Sequence, residues 1–257
     1  DNGSSDDCAI TSLDIDVSEF TCDDVNAIPS FDGNTVLAFD GEDDYLEFDD
    51  VLPYSPNHTF AFWVRSPNND MGTVFNWGGA GINNSTGIRA WSNRLRYSSV
   101  DGPGQTQTVN SSPFLNDNQW HHVVIVRNGS DVRIYLNGVL DVSGSITNSV
   151  TDPVHVTLGA GFLNNVYQGH MDCELDEFAY WPEALTQQVI EDMMCTGPQD
   201  ADVFIDFETG SGTTSVADAS ENGNDATLHN MDASEDWIAF GEPKSLPSCP
   251  AGVKVQL

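Results

Sequence analysis

The sequence has few positive charges, because 8 Lys and Arg residues stand against 40 Asp and Glu residues, for a formal net charge of −32 at pH 7. A nucleic-acid partner is therefore excluded, since phosphate recognition needs clustered cations. An anionic membrane surface is disfavoured on the same ground. The sequence also lacks an apolar run near the roughly 18 residues of a membrane-spanning helix, so we expect no transmembrane segment.

The five cysteines lack any Cys-x-x-Cys or Cys/His spacing that would hold zinc. We therefore predict disulfides, an oxidising compartment and a secreted or cell-surface protein. Cys8 and Cys22 form the local pair, whereas Cys195 has two alternatives, Cys173 and Cys249. The odd number leaves one thiol unassigned.

Alternation of apolar and polar residues with a period of two is the dominant pattern between residues 35 and 181. Turn residues separate these short runs, and Asn137-Gly138 predicts a two-residue hairpin. One helix is expected after Thr186, which would cap it, and Pro182 ends the strand before it. Many short strands joined by short turns indicate a β-sandwich or barrel.

Five motifs in a fixed order resemble one known family. They are Leu37–Phe48, Phe60–Val64, Gln119–Arg127, Val132–Leu140 and Leu175–Thr186. Over about residues 35–195 the chain is similar to the laminin-G/pentraxin-like concanavalin A-type lectin/glucanase domain. This resemblance implies an all-β fold, a two-sheet antiparallel jelly-roll sandwich with one short helix. It implies much less about function, because one jelly roll hosts lectins, adhesion domains, hydrolases and lyases.

The domain organisation follows from where the motifs lie. Residues 31–257 are interpreted as a single laminin-G-like jelly roll, in which residues 202–241 return to complete the sandwich, because unpaired strands would leave exposed edges. A truncated second domain is the alternative. Residues 1–30 are interpreted as a flexible acidic tether with a disulfide-pinned segment. The acidic N-terminal segment is similar to the spacer after the lipid-bearing cysteine of Bacteroidetes surface lipoproteins. This resemblance implies a lipid anchor upstream of residue 1. A disordered terminus without an anchor is the alternative.

Arginines and aromatic residues are interleaved in the middle of the chain. The predicted ligand surface consists of Trp77, Arg89, Trp91, Arg94, Arg96 and Tyr97. Sugar recognition uses an aromatic plane together with Arg forks, and cations in an acidic chain suit a uronic or sulfated glycan. In the alternative, these arginines pair with neighbouring acids while Trp77 and Trp91 pack in the core.

Carboxylates in turns suggest calcium, which takes six to eight oxygen ligands. Related domains bind calcium near the ends of these strands, and the resemblance gives Asp40, Asp43 and Asp176 as candidate ligands. The alternative is that Asp40 only caps its turn.

The motif containing Glu174, Asp176 and Glu177 is similar to the catalytic strand of retaining glycosidases of this fold. On a regular strand Glu174 and Asp176 share a face, while Glu177 points the opposite way, so the acid/base position is missing. The segment from Gly169 is about two residues longer than usual, which indicates a β-bulge. We assign no catalytic residue.

The sequence therefore predicts an extracellular, non-catalytic, lectin-like module that binds a polysaccharide or glycoconjugate and holds calcium. A protein-binding adhesion or scaffold domain is the first alternative, and a glycoside hydrolase or polysaccharide lyase is the second.

Overall fold

A computed structural model describes residues 35–50, 52, 54–68, 72–79, 84–150, 153–208, 214–220 and 222–239. The tether predicted for residues 1–30, the Cys8–Cys22 pair and Cys249 lie outside the described residues. The described residues belong to one compact unit, residues 33–257.

Two large antiparallel sheets form the fold. In spatial order, sheet I contains β10 (Val139–Ser145), β9 (Asp131–Leu136), β8 (His121–Asn128), β3 (Asn57–Arg65), β14 (Asp172–Trp181), β1 (Thr35–Asp40) and β18 (Trp237–Ala239), with β15 (Val203–Ile205) also paired to β14. Sheet II contains β16 (Ser215–Val216), β17 (Ala226–His229), β2 (Tyr45–Phe48), β11 (Pro153–Leu158), β4 (Gly72–Gly79), β5 (Asn84–Trp91), β6 (Arg94–Asp101) and β7 (Thr106–Asn110). A separate hairpin consists of β12 (Gly161–Leu163) and β13 (Val166–Gln168).

The main core lies between the two sheets, where alternate residues of each strand point inward. Aromatic rings fill its centre: Phe60 and Phe75 have centroids 4.4 Å apart, and Trp77 lies 5.6 Å from Tyr180. The predicted all-β, two-sheet antiparallel jelly roll of the concanavalin A-like type is confirmed.

The predicted hairpin and helix are both present. Asn137 and Gly138 have φ values of 50° and 78°, as a type I′ turn requires. The helix α1 (Gln187–Thr196) begins after Thr186, whose hydroxyl accepts a hydrogen bond from the Val189 amide at 3.4 Å. With 10 residues α1 is short, and within the described part of the chain no helix has the length and apolar character needed to cross a membrane.

Residues after α1 add strands to both sheets: β15 pairs with β14, β17 with β2, and β18 with β1. The Asp218 carboxylate holds this segment in place, because it accepts backbone hydrogen bonds from Phe204 (2.9 Å), Ser220 (2.9 Å) and Asn224 (3.0 Å). One buried carboxylate thus joins the middle of β15 to the turn before β17.

Cys173 is a buried free thiol on β14. The alternative in which Cys173 pairs with Cys195 is therefore wrong. Cys173 takes the place of an apolar residue in the core between the sheets, and burial raises the pKa of its thiol well above the usual value.

Candidate functional site

Four predicted residues lie together on β5 and β6. Arg89 is the cross-strand partner of Arg96, and Trp91 is the partner of Arg94, so all four side chains share one face of sheet II. Ala90 and Leu95, which alternate with these residues along the two strands, are buried in the core. The face that carries the arginines and Trp91 is therefore the outer face of sheet II. We call Arg89, Trp91, Arg94 and Arg96 the arginine–tryptophan surface.

The guanidinium groups of this surface are oriented by local contacts. Arg96 Cζ lies 4.2 Å from the centroid of the Trp91 ring, a cation–π arrangement, and Arg96 Nε donates to Asn110 Oδ1 at 2.9 Å. Arg94 Nη1 donates to the Ser111 carbonyl at 2.9 Å. Each guanidinium has five N–H groups, so several donors of each remain for a ligand. Trp91 is 50% exposed.

No carboxylate among the described residues forms an ion pair with the arginine–tryptophan surface. In the described part of the chain, the arginines that form ion pairs are Arg65, with Glu174, and Arg133, with Asp131. Arg89 and Arg96 instead stand directly opposite each other, and like charges in that position repel. Among the described residues the alternative in which these arginines pair with acids is not observed, whereas the core position that the same alternative gives to Trp77 is.

Two of the predicted ligand residues need correction, because Trp77 and Tyr97 have no exposed surface. Trp77 Nε1 donates to the Leu52 carbonyl at 3.2 Å, and the Tyr97 hydroxyl lies 2.8 Å from Nε2 of the buried His58. Both aromatic side chains belong to the core and cannot touch a glycan. Alternation along β6 accounts for Tyr97, because it follows the outward-pointing Arg96.

An acidic turn joins β1 to β2. Carboxylate oxygens of Asp40, Asp43 and Asp44 all lie within 4.8 Å of one another, and we call these three residues the acidic turn. Asp40 Oδ1 accepts the Glu42 amide at 2.7 Å, as a turn-capping aspartate does. Asp44 Oδ2 accepts the Asp40 amide at 3.0 Å.

Asp44 is 2% exposed, and burial raises its pKa to about 6, with repulsion from Asp236 and Asp40 adding to the shift. Burial and repulsion from Asp40 also raise the pKa values of Asp172 and Asp236. Clustered carboxylates that are destabilised in their charged form supply the oxygen ligands that a divalent cation such as calcium prefers.

The third predicted calcium ligand, Asp176, lies elsewhere. Asp172 is the cross-strand partner of Asp40, and Asp176 is four residues further along β14, a separation of about 13 Å at the usual strand rise. Asp44, which sequence reasoning missed, completes the group instead. Asp44 directly follows Asp43 in the sequence, and this adjacency could have identified it as a candidate ligand.

Neighbouring groups hold two of the carboxylates on β14. Glu174 accepts two hydrogen bonds from Arg65, at 2.6 Å each from Nε and Nη2, and Asp176 is fully buried. The register with β3 shifts between Asp176 and Ala179, where Glu177 has a φ of 50°. This bulge lies after the segment 169–176, in which the sequence had indicated one, and residues 172–175 pair with β1 in unbroken register. These contacts fit a structural role.

Comparison with known proteins places the chain in a family. The profile of the concanavalin A-like lectin/glucanases superfamily, laminin G type, matches residues 40–191. The chain belongs to this superfamily. No curated protein sequence matches it.

Two solved structures share the superfamily fold with this laminin-G-like chain. A candidate carbohydrate-binding protein from Bacteroides ovatus ATCC 8483 is 15% identical with a TM-score of 0.62, over 83% of this chain and 62% of that protein. A native heptameric SAP-like pentraxin from Limulus polyphemus is 17% identical with a TM-score of 0.51, over 62% of this chain and 81% of the pentraxin. The chain thus spans less than two thirds of the Bacteroides protein, and at these identities both likenesses concern the fold.

Proposed function

We propose that this laminin-G-like chain is an extracellular, non-catalytic module that binds an anionic polysaccharide through the arginine–tryptophan surface. One observation carries the proposal: in a chain with five acidic residues for each basic one, Arg89, Arg94 and Arg96 face outward without a carboxylate partner among the described residues. The description of the Bacteroides ovatus structure as a candidate carbohydrate-binding protein supports it.

The chemistry of the surface fits acidic sugars. Guanidinium forks bind carboxylates and sulfates with two parallel hydrogen bonds, and an exposed indole packs against the C–H face of a sugar ring. The net charge of −32 repels anions elsewhere, so binding is confined to the surface where the arginines cluster.

Calcium at the acidic turn is the second part of the proposal. Asp40, Asp43 and Asp44 offer oxygen ligands, which is the donor type that calcium prefers. Burial and, to a smaller extent, repulsion raise the pKa of Asp44, and a bound cation would offset both effects. We further propose that a lipid anchor upstream of residue 1 holds the module at a cell surface.

A protein-binding adhesion domain is the second candidate. It is favoured by Val139, 69% exposed, and Leu140, 43% exposed, which lie on the edge strand β10 next to the hairpin turn. Exposed apolar residues on an edge strand suit a protein partner better than a glycan.

The deciding measurement is binding to an array of neutral, uronic and sulfated polysaccharides, in calcium and then in EDTA, with soluble products assayed. We expect binding to acidic polymers without product. Arg94→Ala combined with Arg96→Ala should weaken it at least about tenfold, because two charge-assisted contacts are lost. Arg133→Ala is the matched control, because it removes an exposed arginine on sheet I.

Equal affinity of the double variant and the control would contradict the arginine–tryptophan surface as the site. Failure to bind any glycan would overturn the carbohydrate role and favour protein adhesion.

A further inference from the structure

The outer face of sheet II continues past the arginine–tryptophan surface onto β2 and β11. Leu46, Val156 and Leu158 point into the core, so the alternate residues Tyr45, Glu47 and His155 point outward. The β12–β13 hairpin lies on this face and contributes Tyr167, whose hydroxyl reaches Glu47. We call Tyr45, Glu47, His155 and Tyr167 the tyrosine–glutamate network.

Hydrogen bonds order this network around one carboxylate. Tyr167 donates its hydroxyl proton to Glu47 Oε2 at 2.8 Å, and His155 Nδ1 lies 2.5 Å from Glu47 Oε1. Each carboxylate oxygen keeps a further lone pair that can accept from a ligand hydroxyl. The side chains of Glu47 and His155 are 25% and 31% exposed, so a ligand can reach them.

Aromatic packing fixes the network in place. The Tyr45 ring stacks between Tyr167, 4.5 Å away, and His229, 4.4 Å away. The Phe162 ring covers His155 at 3.8 Å. Phe162 sits over Gly78, where a Cβ atom would come within 2.9 Å of the Phe162 Cβ, so the glycine is required for this close approach.

The chemistry of the network favours an uncharged sugar. Burial, together with the Glu47 charge, raises the pKa values of Tyr45 and Tyr167, so both hydroxyls keep their protons, and Tyr167 donates its proton to Glu47. The Glu47 carboxylate repels acidic sugars but accepts hydrogen bonds from neutral hydroxyls. Partly exposed rings beside such groups supply the apolar contacts that a sugar ring needs.

Arg89 of the arginine–tryptophan surface reaches the base of the hairpin that carries Tyr167. Gly169, the residue after β13, lies so close to Arg89 that a Cβ atom there would be 3.4 Å from Arg89 Nη2. Glu47 on β2 and Arg89 on β5 are separated by β11 and β4, about 14 Å at the usual strand spacing. A polymer that crosses the strands on this face can therefore contact both groups with sugar units that are not adjacent.

We propose that the tyrosine–glutamate network is a second saccharide subsite that takes a neutral sugar, so that the ligand is a heteropolysaccharide with acidic and neutral units. This inference rests on the proposed function, because it places the acidic units at the arginine–tryptophan surface. The inference goes further by adding a subsite for a neutral sugar and by naming a heteropolysaccharide as the ligand, which the arginines alone do not specify.

The test compares two polymers that share their acidic unit: polygalacturonate and a rhamnogalacturonan backbone, in which galacturonate alternates with rhamnose. We expect the wild-type chain to bind the mixed polymer more tightly. Tyr167→Phe removes the hydroxyl that orients the Glu47 carboxylate, so we expect it to weaken rhamnogalacturonan binding about tenfold, with little change for polygalacturonate. The double variant of Arg94 and Arg96 should weaken both.

Thermal unfolding of each variant checks the fold, and Glu47→Gln provides a second, independent change if Tyr167→Phe loses stability. The inference is overturned if both single variants bind rhamnogalacturonan as the wild type does, or lose both polymers equally. It is also overturned if the mixed polymer does not bind. Polygalacturonate binding that depends on the arginines would still uphold the proposed function, whereas no binding of any acidic glycan in the wider array would defeat both.

Discussion

Asp218→Ala is expected to lower the free energy of unfolding by about 3–5 kcal/mol, since it leaves three backbone N–H groups without their acceptor in a nearly dry site. Asp218 is 7% exposed and also accepts from Asn224 Nδ2 at 3.1 Å. Loss of the carboxylate disconnects the strand β15 from the turn before β17. For a chain of this size we expect a fall in Tm of about 10 °C.

The loss of stability in Asp218→Ala should also depend on pH. Burial alone would raise the pKa of this carboxyl, but hydrogen bonds from Ser220, Phe204 and Asn224 outweigh burial and lower it. A lowered folded-state pKa gives stability that is present above the unfolded value of 3.8 and is lost as the pH falls. The difference in Tm between wild type and variant should therefore shrink below pH 4.

Thermal unfolding from pH 3 to pH 7 measures both effects. Asp101→Ala is the control, because it removes an exposed acid from the end of β6. A loss of less than about 1 kcal/mol for Asp218→Ala would show that the segment after α1 is held by strand pairing alone.

The fold could be predicted because its signals are local. Period-two alternation, the Asn137-Gly138 turn and the cap at Thr186 each depend on a few neighbouring residues, and the structure has all three. The role of Asp218 was not predictable in the same way. Its hydrogen bonds reach Phe204, 14 residues earlier, and no sequence period marks such a contact.

The candidate site was predictable only where strand alternation decides which way a side chain points. Arg94 and Arg96 were placed correctly on one face, whereas applying the same rule to Tyr97 would have placed it in the core. The tyrosine–glutamate network was not predicted, because Glu47 and Tyr167 are 120 residues apart in sequence and meet only when the hairpin folds over sheet II.

Asp44→Asn is expected to have opposite effects with and without calcium. In EDTA at neutral pH the variant should be more stable by about 1–2 kcal/mol, since it no longer buries a repelled negative charge, and the carboxamide oxygen of the new side chain can still accept the Asp40 amide. The folded-state pKa near 6 exceeds the unfolded value of 3.8, so the wild type loses stability as the pH rises from 4 to 6. The advantage of the variant should grow over that range and stay constant above it.

Calcium should reverse this order. A cation at about 100 times its Kd stabilises the folded state by roughly 2.7 kcal/mol, which in a chain of this size raises Tm by about 5–10 °C. The wild type should show this rise, and Asp44→Asn, which lacks one of the three clustered carboxylates, should show little of it. Asp50→Asn, an exposed acid after β2, is the control and should respond as the wild type does. If calcium raises the Tm of Asp44→Asn as much as that of the wild type, the cation binds elsewhere, and the acidic turn is only a turn that folds at an electrostatic cost.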